Sequence, residues 1–421
     1  MKKVLGIAIT LFLVLLLAAC GPDRDETGGT DSNGSGDEPA TEGEKPDVLT
    51  MWVNEEDDQL DAYEEIVAKF EEEHGIAVEI TPFSMVDQLA ALTLDAPAGN
   101  GPDLYFQPND MVGQAYLEGL AAELTLTDDQ LAGYPEGAVH AFSYEGIQLG
   151  IPAVTETYAL YYNTDLVPEA PQTIEDIEQI AADLTNAAND EYGFLMEATN
   201  FYFLYPFLAA DGGYVFNEDA DGAYDDSDIG LANAGAVTGA ERVQNWFTEG
   251  YIPTGINGDI MNGLFEDGKV GAVISGPWNI SAYSQALGDK LAVAPLPTIN
   301  GENLQSFSGV KGWMVNEYTE NLDWAVELAL FITNAENSLT YFEYAAELPA
   351  RTDVEIDDEI LAAFADQAVH AVPMPNIPAM SQVWEPMAEA FEFISQGENV
   401  QEVLEEAVEQ IHEDINLQKG N

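Results

Sequence analysis

The sequence predicts an α/β protein of two lobes, and three observations predict it. From Val48 onward, short β-rich runs alternate with helix-patterned stretches, as βαβ units of a parallel or mixed sheet require. The length, 421 residues, exceeds one ordinary domain and fits two. Polar and aromatic residues gather just after several predicted strands, where open α/β sheets bind ligands. With two lobes, that position is the cleft between them.

The chain starts with a basic "MKK" and the apolar run "VLGIAITLFLVLLLAA", which has signal-peptide proportions. The run ends in Leu17, Ala18, Ala19 and Cys20, a context similar to the lipobox of bacterial lipoproteins. That similarity implies a signal peptide over 1–19, lipid attached to Cys20, and a chain held on the outer face of the cell membrane. An ordinary cleaved signal followed by an incidental cysteine is the alternative. Cys20 is the only cysteine, so an intramolecular disulfide or a cysteine metal site is impossible. Residues 20–47 are rich in Gly, Ser, Asp, Glu and Pro and read as a disordered acidic tether.

"VLTMWV" (48–53) is then a strand. A helix follows, with Leu60, Tyr63, Ile66, Val67 and Phe70 on one stripe and Gly75 as its stop. Strands at 76–81 and 103–106 flank a helix near 86–94. The alternation continues with a strand at 158–163, helices at 173–187 and 239–250, a strand at 270–275, and helices at 322–334 and 399–415. The post-strand loops "NEE" (54–56), "QPND" (107–110) and "GPW" (276–278) are the ones that face a cleft.

Charge excludes several partners. There are 77 acidic and 11 basic residues, a net charge of −66. Nucleic acid needs a basic face, and anionic substrates would be repelled. A neutral or cationic ligand is easier to hold. The carboxylates read chiefly as a solvation device suited to concentrated salt or high pH. The four histidines show no ligand spacing, and no phosphate loop or nucleophile elbow occurs. No cofactor is expected. One stretch, 217–228, sets Asn217, Asp219, Asp221, Gly222, Asp225 and Asp228 at EF-hand-like offsets. Its last ligand is Asp rather than Glu, and flanking helices are not evident. An acidic hairpin turn at "DG" is the competing reading.

Aromatics carry more information. Tyr202, Phe203 and Tyr205 cluster, Trp278 follows a strand, and Trp384 closes the uncharged stretch "PMPNIPAMSQVW" (373–384). Each alone also fits a core position. Together with Asn54, Asp110 and Glu156 they suit a polyol. Rings cover the C–H face of a sugar, while carboxylates and amides bond its hydroxyls.

Six motifs occur in order: "GPDLYFQPNDMVGQAYLEGL", "IPAVTETYALYYNTDLVPEAP", "PFLAADGGYVF", "DIGLANAGAVTGAE", "FEDGKVGAVISGPW" and "MPNIPAMSQVW". From about Leu49 to Leu417 the chain resembles the maltose/maltodextrin-binding proteins, extracellular receptors of ABC importers, and their Gram-positive lipoprotein members in particular. The resemblance implies a two-lobed periplasmic-binding-protein-like fold of type II. Residues 48–155 plus 305–357 would form one lobe and 156–304 plus 358–417 the other, joined by a hinge. It implies a monomer that closes on an α-1,4-linked glucose oligomer and delivers it to the importer's membrane subunits without chemistry. Stacking falls on Tyr202, Trp278 and Trp384. Phe203 and Met374 line the same subsites, and Asn54, Glu56, Asp110 and Glu156 make polar contacts.

The chain departs from the family pattern at several of these places. Where a maltose-binding member has Trp, Arg, Lys, a carboxylate and Arg, this chain has Gln107, Met111, Asp57, Asn200 and Ala388. Cationic donors are lost, so linear maltodextrin, a cyclodextrin or another neutral glycan is compatible. The alternative from another class is a surface glycosidase with two carboxylates flanking the scissile bond. A chemosensory or adhesive lipoprotein is the third reading.

Overall fold

Two β-sheets organise the chain in the computed structural model, which describes residues 43–218, 223–356 and 358–420. Cys20, Asp219 and Asp221 lie outside the described residues. The large sheet runs in the order Leu348–Pro349, Gly150–Glu156, Phe307–Val315, Leu104–Pro108, Val48–Val53, Ala77–Pro82. Val372–Pro373 adds to the start of Phe307–Val315. The small sheet runs Leu291–Ala294, Ala159–Asn163, Val270–Ser275, Tyr192–Leu195.

Both sheets are mixed. Val48–Val53 is parallel to both of its neighbours, as βαβ crossovers dictate. Phe307–Val315 is antiparallel to Leu104–Pro108 and to Gly150–Glu156. It is almost wholly buried and stands at the middle of the large sheet.

The helices form where their patterns place them. Asp57–His74 buries Tyr63, Ile66, Val67 and Phe70, and ends because Gly75 adopts φ 63°, a left-handed conformation that costs glycine little. Tyr63 packs on Tyr341 of the helix Ala335–Ala345, ring centroids 5.1 Å apart. Ile174–Leu184 starts in a capping box: the Thr173 hydroxyl accepts from Asp176 N–H, and the Asp176 carboxylate accepts from Thr173 N–H. Phe201–Ala209 is buried on nearly every face. Its Pro206 has no N–H to give the Tyr202 carbonyl, so tertiary packing rather than local propensity holds this helix.

Hydrophobic clusters fill both faces of the large sheet, and a third, richer in aromatics, surrounds the small sheet together with Trp384–Ser395 and Val400–Gln418. Where the chain passes between the sheets, the Thr157 hydroxyl donates to the Phe307 carbonyl (2.8 Å) and lies 2.6 Å from Ser306 Oγ. One expectation is corrected. Composition assigns 43–47 to the tether, but Gly43 is bonded to Asp323 and Trp324, and the Asp47 carbonyl accepts from Ala77. Backbone hydrogen bonds, which composition does not reveal, start the folded chain before Val48.

Candidate functional site

The strand Leu104–Pro108 ends in a single turn, Asn109–Met111, that points two buried polar side chains toward the segment 374–384. Asn109 is a stitch. Its Oδ1 accepts from Val310 N–H (2.9 Å), and its Nδ2 donates to the Met374 carbonyl (3.1 Å). Asp110 reaches Trp384 at the start of its helix: indole Nε1–H donates to Oδ2 at 2.9 Å. The other oxygen, Oδ1, is buried without a hydrogen-bond partner among the described residues. Burial pushes the Asp110 carboxyl up to about 6, against the Trp384 hydrogen bond, with the Glu156 charge adding to the rise.

The Trp384 ring lies 5.8 Å from Phe201 and 6.2 Å from Phe307. Phe307 itself is stacked 4.0 Å from Tyr205 and 6.1 Å from Tyr202. Tyr202 continues the aromatic wall to Trp278, at 6.5 Å. The Tyr202 hydroxyl is buried without a hydrogen-bond partner among the described residues. Burial raises its pKa strongly, and the Glu156 charge raises it further. Trp278 stands on the turn Pro277–Asn279 that follows Val270–Ser275. Its ring folds back over Gly276, where an added Cβ would fall 2.0 Å from the ring, so the turn needs glycine there.

Glu156 ends its strand beside these rings. Its carboxylate pairs with Lys311 Nζ at 2.8 Å, and Lys311 also pairs with Glu347. Burial works against the Lys311 charge, but Glu156 and Glu347 outweigh it and hold the ammonium above its ordinary value. Burial raises Glu156, with Lys311 opposing. Glu56 is exposed, and its carboxyl is raised, chiefly by partial desolvation, against its own backbone hydrogen bond and the Lys311 charge.

The structure thus brings Asp110, Glu156, Tyr202, Trp278 and Trp384 into one aromatic and acidic site, with Glu56 within electrostatic reach. Phe203 and Met374 are buried behind it. Met374 N–H donates to the Ser308 carbonyl (3.1 Å), and its methyl would lie 3.2 Å from a Cβ on Gly309. It therefore supports the wall, where the sequence expectation has it offering a face to the ligand. Asn54 uses its Oδ1 to accept from Met85 N–H (3.0 Å), which fixes the start of the helix Met85–Asp95.

Two departures from the family pattern are engaged with backbone. Gln107 is buried and donates to the Met85 and Phe106 carbonyls. Asn200 caps Phe201–Ala209 by accepting from Tyr202 N–H. Sequence reasoning missed Lys311, Glu347, Asn109 and Phe307. The available signal was a lysine inside the otherwise uncharged "SFSGVKGWMV" (306–315).

Of the 217–228 stretch, the described residues 217–218 and 224–228 lie in Phe216–Glu218 and Tyr224–Ile229, which pair antiparallel with Asn217 opposite Asp225. Asp225 accepts from Ser227, and Asp228 from the Tyr214 hydroxyl. Among the described residues no group of three His, Cys, Asp or Glu could hold a metal ion.

Residues 65–368 match the family described as bacterial extracellular solute-binding protein. A galactooligosaccharide-binding protein of Bacillus subtilis is 34% identical, covering 94% of this chain and 93% of that protein. A maltooligosaccharide ABC transporter solute-binding lipoprotein of Streptococcus pneumoniae is 32% identical, covering 100% and 99%. The structure of an extracellular solute-binding protein from Staphylococcus aureus in complex with maltose is 44% identical and superposes with a TM-score of 0.73, covering 89% of this chain and 99% of that one. The chain therefore belongs to the bacterial extracellular solute-binding proteins and has their two-lobed α/β fold.

Proposed function

We propose that this protein captures a neutral oligosaccharide of the maltodextrin type outside the cell and delivers it to the membrane subunits of an ABC importer. One observation carries the reading. A wall of Tyr202, Trp278 and Trp384 adjoins two buried polar atoms without hydrogen-bond partners among the described residues, Asp110 Oδ1 and the Tyr202 hydroxyl. Rings for C–H faces beside acceptors and donors for hydroxyls are what a sugar needs. The relatives that bind maltose or maltooligosaccharides support the choice of sugar.

In this reading the lobes are 48–155 plus 305–357 and 156–304 plus 358–417. The crossings near Thr157 and Ser306 act as the hinge, and sugar shifts an open–closed equilibrium. The site holds its ligand without cleaving it. Membership of the solute-binding family supports a receptor over a glycosidase. Cys20 anchors the chain through lipid. The pneumococcal lipoprotein supports this, and no helix among the described residues is long and apolar enough to cross a membrane.

The Bacillus relative favours a second reading, a galactooligosaccharide in the same cleft. Titration calorimetry of the mature protein with maltose, maltotetraose, β-cyclodextrin and galactotetraose separates them. Saturable binding of an α-glucan is expected. Heat from galactotetraose alone favours the second reading, and no heat from any of the four refutes both.

A further inference from the structure

We propose that Lys311 is a positioning residue of this cleft. Its ammonium, fixed by Glu156 and Glu347 on the large sheet, holds the Trp278 ring presented from the small-sheet side. The inference rests on the reading of the cleft as a sugar site and adds the residue that sets its aromatic wall.

Five observations carry it. Lys311 is the one buried Lys or Arg among the described residues, in a chain with only 11 basic residues. A buried ammonium is tolerated only when paired, and here two carboxylates pair it. The pairing of Phe307–Val315 with Gly150–Glu156 shifts at this point: Lys311 faces Val154 and Gly312 faces Pro152, which leaves Ala153 as the extra residue of a bulge. Bulges re-aim side chains next to sites.

Glu347 is itself held. Its carboxylate accepts from the Tyr341 hydroxyl (2.6 Å) and from Gln59 Nε2 (3.4 Å), so the triad is rooted in the large-sheet core. Finally, Lys311 Nζ lies 5.6 Å from the centroid of the Trp278 ring, within the range of cation–π attraction. A stacking ring must keep its plane to meet a sugar, and this cation lies over the ring from the opposite sheet.

The test pairs a spectroscopic readout with affinity. The mature protein is labelled with 5-fluorotryptophan, and the Trp278 resonance is assigned by its loss in Trp278→Phe. Lys311→Met with Glu347→Gln removes the cation while keeping the triad's net charge at its wild-type value. Lys311→Arg restores a cation. In the double variant the Trp278 resonance is expected to move without sugar, and the maltotetraose Kd to rise about 5- to 30-fold. Lys311→Arg is expected to return both toward wild type.

An unmoved resonance with an unchanged Kd overturns the proposal, and so does a moved resonance with an unchanged Kd. If the double variant does not fold, Lys311→Arg decides: retained resonance and affinity support the proposal, and a lost Kd with an unmoved resonance overturns it. If the wild type binds no maltotetraose while the resonance still moves in the double variant, the hold on Trp278 stands and the sugar assignment falls.

Discussion

Asp110→Asn tests the electrostatics of the site with the least change of shape. The wild-type carboxyl is buried, and its pKa stands at about 6 against an ordinary 3.8. At 1.36 kcal/mol per pKa unit, ionising it in the folded protein costs roughly 3 kcal/mol more than in the unfolded chain. The sign follows from proton counting. Between pH 4 and 6 the folded state binds more protons at this group than the unfolded state. Its stabilising contribution is therefore complete below pH 4 and is lost as pH rises through 6.

Asparagine does not titrate. Its carbonyl can still accept from Trp384 Nε1, and any cost of burying its NH2 group is independent of pH. The stability of the wild type relative to Asp110→Asn should thus fall by about 3 kcal/mol from pH 4 to pH 7. Urea unfolding at 25 °C measures this. Urea is preferred to guanidinium, whose ions would screen a chain of net charge −66. The difference between the two proteins cancels the raised carboxyls that do not interact with Asp110, such as Glu197. A difference that is flat with pH, or that rises, refutes the assignment of Asp110 as a desolvated acid. The same substitution should weaken sugar binding, since it replaces a charged acceptor.

Three further outcomes are expected. Trp278→Ala and Trp384→Ala should each raise the Kd for maltotetraose about 10- to 100-fold while circular dichroism is unchanged; unchanged affinity in both contradicts the stacking role. The melting temperature should rise from dilute buffer to molar NaCl, where the Debye length is about 3 Å and carboxylate repulsion is screened; a fall contradicts the solvation reading of the charge. Thr173→Ala should cost about 1 kcal/mol in urea unfolding, because it removes the capping box of Ile174–Leu184; no loss would show the cap to be idle.

Much of this architecture was legible because it is local. The stripe from Leu60 to Phe70 and the stop at Gly75 need only the 3.6-residue period and a left-handed glycine. Trp278 was legible as a residue after a strand, and Trp384 as the aromatic end of an uncharged stretch. Phe307–Val315 was not. Its partners lie about 155 and 205 residues away in sequence, so no short window shows that it stands mid-sheet. Phe201–Ala209 was read as an aromatic cluster rather than a helix, because burial on all faces erases the periodic signal. Lys311 and Glu347 are silent for a related reason. An isolated Lys or Glu reads as solvent-facing until the bulge and the pairing across 36 residues bring them together.

A crystal structure of the mature protein with maltotetraose tests the central claim most directly. The account predicts glucose rings against Tyr202, Trp278 and Trp384, with hydroxyls bonded to Asp110 Oδ1 and the Tyr202 hydroxyl. Sugar bound away from these residues, for instance in the hollow lined by Pro171, Leu296, Thr298 and His370, would contradict it.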